Sequence, residues 1–311
     1  MRRQTELMWG VIAVALAAWW GVRVLGVLPV GLDDFIQRAL PALLILIGLT
    51  YLLRRRLPLA GGIALALTAF LVAGAGYMAF STRASQMRTE NQQTISQTVN
   101  PELTLLRLRV GTLATDVELL AGTTSEIVTG QFIGSGDNLI NVNYQEAGDG
   151  TATLTIFENR MSGDYPLLEM IGRGTVRLEL PTAIPMDIEF LSDQGSVVLN
   201  LGGLALERLN ATAQNGDLVV TLPDHNPIYS QPEDLLGTLA SPGGELVLFV
   251  PDDVAARLEL NRLNSGIVPQ IDSAKYDELA GDIWQDKFIV VSENPIRYAL
   301  TSGRIRVETS G

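Results

Sequence analysis

Residues 8–80 are almost entirely apolar, broken only by short charged clusters. Residues 100–311 are acidic and carry Gly at intervals, each Gly followed by alternating apolar residues. One water-soluble core cannot serve both kinds of segment. The first reads as a membrane anchor and the second as an all-β domain standing in water. A chain of 311 residues has room for one of each, with about 200 residues for the folded domain.

Three apolar stretches, roughly Met8–Val27, Phe35–Leu53 and Leu59–Phe80, each match the ~20 residues that cross a hydrocarbon core as a helix. The first lacks the cleavage pattern of a signal peptide. Arg2 and Arg3 precede the first stretch, and Arg54, Arg55 and Arg56 separate the second from the third, while Asp33 and Asp34 lie in the other connection. The positive-inside bias then places the N-terminus in the cytoplasm and everything after Phe80 outside it. In the third stretch Gly62, Ala66, Ala69, Ala73 and Gly76 allow close helix approach. Packing within the anchor explains these small residues. A partner's membrane helix at Ala69 and Ala73 is the sharper reading. Residues 81–99 are polar and rich in Gln, Thr and Ser. They read as a connector, helical at first and frayed toward Asn100.

The formal charge of −12 hides an asymmetry: residues 1–99 carry a net +5 and residues 100–311 a net −17. So acidic a domain repels nucleic acid and anionic lipid surfaces. Without Cys, disulfides and thiolate metal sites are excluded.

The acidic part repeats. Gly174, Gly195 and Gly216 are spaced by 21 residues and, with Gly244, each open a strand-like segment. Apolar residues follow at the second, fourth and sixth positions: Val176, Leu178 and Leu180; Val197, Leu199 and Leu201; Leu218, Val220 and Leu222; Leu246, Leu248 and Val250. Period-two alternation gives strands with one buried face. Gly at each start supplies a positive φ or a close backbone approach. A second strand precedes each Gly: Ile188 and Phe190 before Gly195, Leu209 and Ala211 before Gly216, and Ile296 and Tyr298 before Gly303. Two short strands in a fixed length favour a β-solenoid-like stack over an ordinary sandwich. Earlier strands read from LTLLRLRVG, DVELLAG, NLINVNYQ and TATLTIFE, with Glu146–Gly150 as a hairpin turn between the last two. The repeat swells after Pro223 and again after Gly266, where insertions should emerge as loops.

Signals for chemistry are weak. His225, the only histidine, follows Asp224 in an insertion and reads as a surface position. HExxH, GxSxG and P-loop motifs are absent from the sequence. Gly134–Asp137 reads as a turn. Asp149, Asp193, Asp217, Asp252 and Asp253 do not make the dense acidic loop of a tight Ca²⁺ site. No cofactor or metal is expected. Tyr229, Tyr276 and Trp284 lie in the insertions, where aromatics either anchor a partner or cap a core; Tyr229 and Trp284 are the candidate partner contacts.

The stretch LMWGVIAVALAAWWGVRVLGVLP, followed by ALPALLILIGLTYLLRRR, resembles the transmembrane region of the LiaI–LiaF type over about residues 8–56. The β part resembles the C-terminal portion of LiaF-like proteins and the related toast-rack domains. The shared pattern is a Gly-led strand ending in Pro, then an apolar residue and a further strand. Here it runs through Pro181, Ile184, Ile188 and Phe190, and through Pro251, Val254, Leu258 and Leu260. The segment LRVGTLATDVELLAGTTSEIVTGQF resembles that family's opening, and the likeness spans most of residues 103–307. The expectation is a three-helix anchor (1–80), a connector (81–99) and an extracytoplasmic all-β domain (100–311). The resemblance implies a non-catalytic cell-membrane accessory that senses envelope stress or restrains a sensor kinase. The alternative is a structural or adhesive envelope protein acting by self-association, as a homo-oligomer, or by binding surface polymer. The lipid bilayer is a partner under either reading, and nucleic acid under neither.

Overall fold

The computed structural model describes residues 86–124, 126–161, 172–224, 235–287 and 295–310. They belong to one unit formed by Gln86–Gly163 and Gly172–Gly311. The three apolar stretches, with Ala69 and Ala73, lie outside the described residues, as do His225 and Tyr229. Among the described residues no helix is long and apolar enough to cross a membrane.

The described residues form strands β1 (Asn91–Thr98), β2 (Leu105–Thr112), β3 (Thr115–Ala121), β4 (Ile127–Gly134), β5 (Asn138–Glu146), β6 (Thr151–Arg160), β7 (Gly174–Leu180), β8 (Met186–Ser192) and β9 (Val197–Asn200). They continue with β10 (Leu206–Ala213), β11 (Leu218–Thr221), β12 (Gly237–Pro251), β13 (Ala256–Arg262), β14 (Gln270–Ile271), β15 (Tyr276–Ala280), β16 (Ile283–Asp286) and β17 (Ile296–Ser310).

Each repeat is a rung that runs along one wall, turns a corner and returns along a second wall. Rungs stack in parallel. The first wall reads β6, β2, β8, β10, the first half of β12, the first half of β17, then β13. The second reads β7, β3, β9, β11, the second halves of β12 and β17, then β14. Inward residues from both walls merge into one hydrophobic cluster. Val117, Val197, Leu218, Leu246 and Ile305 form one of its rows, and Leu119, Leu199, Val220, Leu248 and Val307 the next. Fully burying such a side chain stabilises by about 1.5–3 kcal/mol, so these rows are the main source of cohesion between rungs.

The stack is solenoid-like, but its order in space is not its order along the chain. The rung β2–β3 sits between β6–β7 and β8–β9, although both neighbours follow it in sequence. In the same way β17 sits between β12 and β13. Antiparallel strands close the ends. At one end β5 covers β6, β4 covers β7, and β1 covers β4. At the other, β16 covers β13 and β15 covers β16.

The repeated glycines are explained by the corner column. A Cβ on Gly216 would stand 2.0 Å from the carbonyl oxygen of Gly195, and one on Gly244 2.3 Å from that of Gly216. Only a hydrogen fits between rungs there, so close approach is the main reason for Gly. Gly303 meets nothing within 4 Å. Its corner is shorter, since Ser302–Arg304 opposes Ser241–Glu245.

That shortening corrects one expected register. Tyr298, not Ile296, aligns with Gly237 and Leu258, and Leu300 aligns with Leu239. A second correction concerns the connector. Residues 91–98, expected as the fraying end of a helix, form β1 along the whole of β4, because Ile95 and Val99 are buried in the cluster. The β domain therefore begins at Gln86, well before residue 100. A third concerns the insertion after Gly266, which is not a free loop but β14, β15 and β16.

Candidate functional site

Several acidic and amide side chains are engaged in holding rungs or turns together. Asp116 accepts from the Ser196 N–H at 2.8 Å, and Asp217 from the Glu245 N–H at 2.8 Å. Asn210 accepts from the Thr238 N–H at 3.0 Å. Asp149 accepts from the N–H and hydroxyl of Thr151 inside the β5–β6 turn, and these bonds hold its carboxyl below the usual range. Asp272 is lowered in the same way by the Ala274 N–H and the Thr309 hydroxyl. Hydrogen bonds to an ionised carboxylate favour that form. Among the described residues no group of three or more metal-ligating side chains is brought together.

Two buried polar clusters were missed by sequence reasoning. Glu158 lies on β6 and points into the corner of the inserted rung. It accepts from the N–H groups of Leu113 (2.6 Å) and Ala114 (3.1 Å) and from the Asn138 side chain (2.6 Å). At the other end Lys275 and Asp286 are 7% and 5% exposed, with 3.7 Å between nitrogen and oxygen. The Lys275 ammonium also donates to the carbonyls of Pro251 and Asp252. It thereby ties β15 and β16 to the turn that joins β12 to β13. Beside it Tyr276 is buried, and its hydroxyl pKa is pushed up by burial, then by Asp286 and Asp272. In the sequence these residues look like ordinary loop charges.

Trp284, a candidate partner contact, lies on β16 opposite Leu258 and Glu278 and packs against the hydrophobic cluster. Tyr276, from the same insertion, caps the core outright.

The outer faces of the two walls differ. The first is charged. Asp187 lies between Arg107 and Arg208, Arg109 pairs with Glu189 at 3.0 Å, and Arg297 pairs with Glu259 at 2.7 Å. Partial burial raises the Asp187 pKa, opposed by Arg208 and Arg107. Its apolar exception is Phe157 and Leu191, on strands either side of Gly111 and 47% and 57% exposed. The second wall carries a stripe of Val198, Val219 and Val247, with Phe249 beside Thr221. Val198 is exposed, Val219 and Phe249 are half-buried, and Val247 is buried. Charged residues flank the stripe: Arg177 and Glu118 on one side, Arg306 and Glu245 on the other. The sequence signal was the doubled valine in SVVL and LVVT, which breaks the strict alternation.

Residues 83–227 match the family model described as the N-terminal domain of toast_rack, DUF2154. No curated protein matches the chain. Among solved structures, the chain is similar to a candidate cell-adhesion protein from Clostridium sporogenes ATCC 15579, at 16% identity and a TM-score of 0.56. That likeness covers 71% of this chain and 100% of the other. A candidate adhesin from Bacteroides fragilis NCTC 9343 matches at 11% identity and a TM-score of 0.25, covering 72% of this chain and 98% of the other. At such identity the Clostridium likeness bears on fold alone, and it agrees with the parallel stack. Residues 83–227 of this chain are thus similar to the toast-rack N-terminal domain of the DUF2154 type.

Proposed function

We propose that this chain is a non-catalytic, membrane-anchored envelope protein whose β stack is displayed outside the cytoplasm and restrains a membrane signalling partner such as a sensor kinase. The observation that carries the reading is the accessible apolar pair Val198 and Val219, with half-buried Phe249 nearby, on a wall otherwise edged by charge. A small apolar patch rimmed by charge on a rigid wall suits a protein contact. The rigid rungs beneath it fit display rather than reaction, since acids such as Asp116 and Asp217 are fastened to neighbouring backbone. Ala69 and Ala73 supply a second contact within the bilayer, and Tyr229 and Trp284 a third at the insertions. A second reading, adhesion or structural self-association, draws on the fold shared with the candidate cell-adhesion protein.

The test uses the full chain in cross-linked membranes. Val198→Glu puts a charge on the stripe without touching the core, and Ala69→Leu with Ala73→Leu blocks close helix approach. Both should reduce co-purification of a histidine kinase by about tenfold, a loss of about 1.4 kcal/mol. A reporter active only outside the cytoplasm should work after Gly311 and fail at Arg55. An inactive reporter at Gly311, or kinase recovery unchanged by either variant, would overturn the restraint reading.

A further inference from the structure

One end of the stack carries an open strand edge that fits a second copy of itself. β5 and β6 are antiparallel, and the Ala147 N–H to Thr151 C=O and Met161 N–H to Asp137 C=O bonds show that odd-numbered residues of β5 bond to β6. The backbone of Asn138, Ile140, Val142 and Tyr144 therefore faces away from it. The first two of these residues are already engaged from β1: the Asn91 side chain donates to the Asn138 carbonyl, and the Gln93 side-chain oxygen accepts from the Ile140 N–H at 2.6 Å. Beyond Ile140 no described strand pairs with this side of β5. Val142 and Tyr144 thus present an unpaired edge, and Val142 is 38% exposed.

Natural edges are usually protected by charge, Pro or a bulge. From Asn138 to Gln145 there is no charged residue and no Pro, and β5 pairs with β6 without a register shift. The neighbouring edge strand β1 has no charged residue either. At the opposite end of the stack, β15 carries Asp277 and Glu278. In a region of net charge −17, two copies repel over most of their surface. The β5 end is where they can meet without opposing charges.

We propose that β5 pairs antiparallel with β5 of a second copy, about a two-fold axis at Asn143, joining two stacks end to end through the first wall. The register follows from the occupied positions. Centring on Val142 would need the Ile140 N–H, which Gln93 already holds. Centring on Asn143 sets Val142 opposite the partner copy's Tyr144, and the reverse, giving about four backbone hydrogen bonds. Asn143 then faces its own copy on the outer face, and Asn141 faces Gln145, so amides meet amides. Tyr144 and Val142 extend the inner row begun by Leu154 and Ile156. The two Glu146 carboxylates stay apart at either end of the pairing. This inference does not depend on the signalling partner, and its failure would leave that reading as it stands.

The chain has no Cys, which makes the test direct. In the full chain in native membranes, Asn143→Cys places one thiol at the axis, where facing residues of a non-hydrogen-bonded antiparallel pair have Cα atoms about 4.5 Å apart. Mild oxidation should give a disulfide-linked dimer at least tenfold faster than Asp277→Cys at the opposite end. Val142→Lys, in the Asn143→Cys background, charges the edge without removing a bond to β6 and should abolish the cross-link. Val142→Pro should do the same by removing an outward-facing N–H. If either second substitution disturbs the fold, the comparison of Asn143→Cys with Asp277→Cys decides alone. A monomer with a free thiol at position 143, equal cross-linking at both ends, or capture of a different chain by Asn143→Cys would each overturn the proposal.

Discussion

The middle of the stack and its two ends are built on different terms. From β8 through β12 successive rungs follow the chain, the corner glycines touch, and each inward side chain has a counterpart on the rungs above and below. At the ends the chain doubles back. Rungs are inserted out of order, strands turn antiparallel, and buried polar groups such as Glu158 and Lys275 take over the fastening. The middle coheres by repetition, which is cheap in sequence information because one pattern serves every rung. The ends cannot, since a terminal rung lacks a neighbour. They need individual solutions, and these are where surface and partner properties can be added.

The largest effect that separates the two regions should come from charging the middle. Val220→Asp buries a carboxylate between Leu199 and Leu248 and should cost about 4 kcal/mol or prevent folding. Thr221→Asp, on the outer face of the same strand, should cost less than about 1 kcal/mol. Urea denaturation followed by circular dichroism measures both, and equal losses would show the register of β11 to be wrong. A smaller contrast concerns the corners. Gly216→Val drives a side chain into the Gly195 carbonyl and should cost about 3 kcal/mol, whereas Gly303→Val meets open space and should cost less than about 1 kcal/mol. Similar melting temperatures for the two would mean that the corner column does not hold the rungs at the spacing described.

The smallest effect belongs to the end cap and depends on pH. The Tyr276 pKa lies above the usual value near 10, first because burial disfavours the phenolate and then because Asp286 and Asp272 repel it. The unfolded chain therefore loses this proton first. Stability is intact below pH ~10 and declines as pH rises past it. Tyr276→Phe should be nearly neutral at pH 7, where the hydroxyl has no hydrogen-bond partner, and should recover about 1 kcal/mol at pH 11. Identical alkaline curves for the two proteins would place the phenol in a wetter setting than the structure gives it.

The middle was legible in the sequence because its physics is local. Alternation from Val176 to Val250 marks the strands, and the 21-residue spacing of Gly174, Gly195 and Gly216 marks the corners. The hairpin at Glu146–Gly150 was equally plain and is present. The order of rungs was not legible, because every rung offers the same inward pattern and many stacking orders bury the same residues. What singles out β2–β3 for its place is specific and long-range. Gly111 leaves room for the Phe157 ring, and Glu158 reaches Leu113 and Ala114. β1 was missed because NQQTISQT is polar by composition. Its strand rests on Ile95 alone within its span, plus Val99 just beyond it. Among the site residues, Trp284 was found by its place in an insertion, but its packing against Leu258 depends on a β13–β16 pairing that no local pattern signals.

The position of β17 also has a consequence for how such a chain comes into being. β12 and β13 are made before it, yet each keeps a bare edge until residues 296–310 slide in between them. A chain cut before Ile296 would therefore not be a slightly shorter stack. It would lack an interior slab, and the cap built from β13 to β16 would have nothing to rest on. Emerging vectorially from a ribosome or a translocation pore, the polypeptide must hold those edges open until β17, the last of the described strands, arrives. Assembly is thus gated by arrival of β17, and an unfinished copy displays unpaired strands to any protease or chaperone standing by.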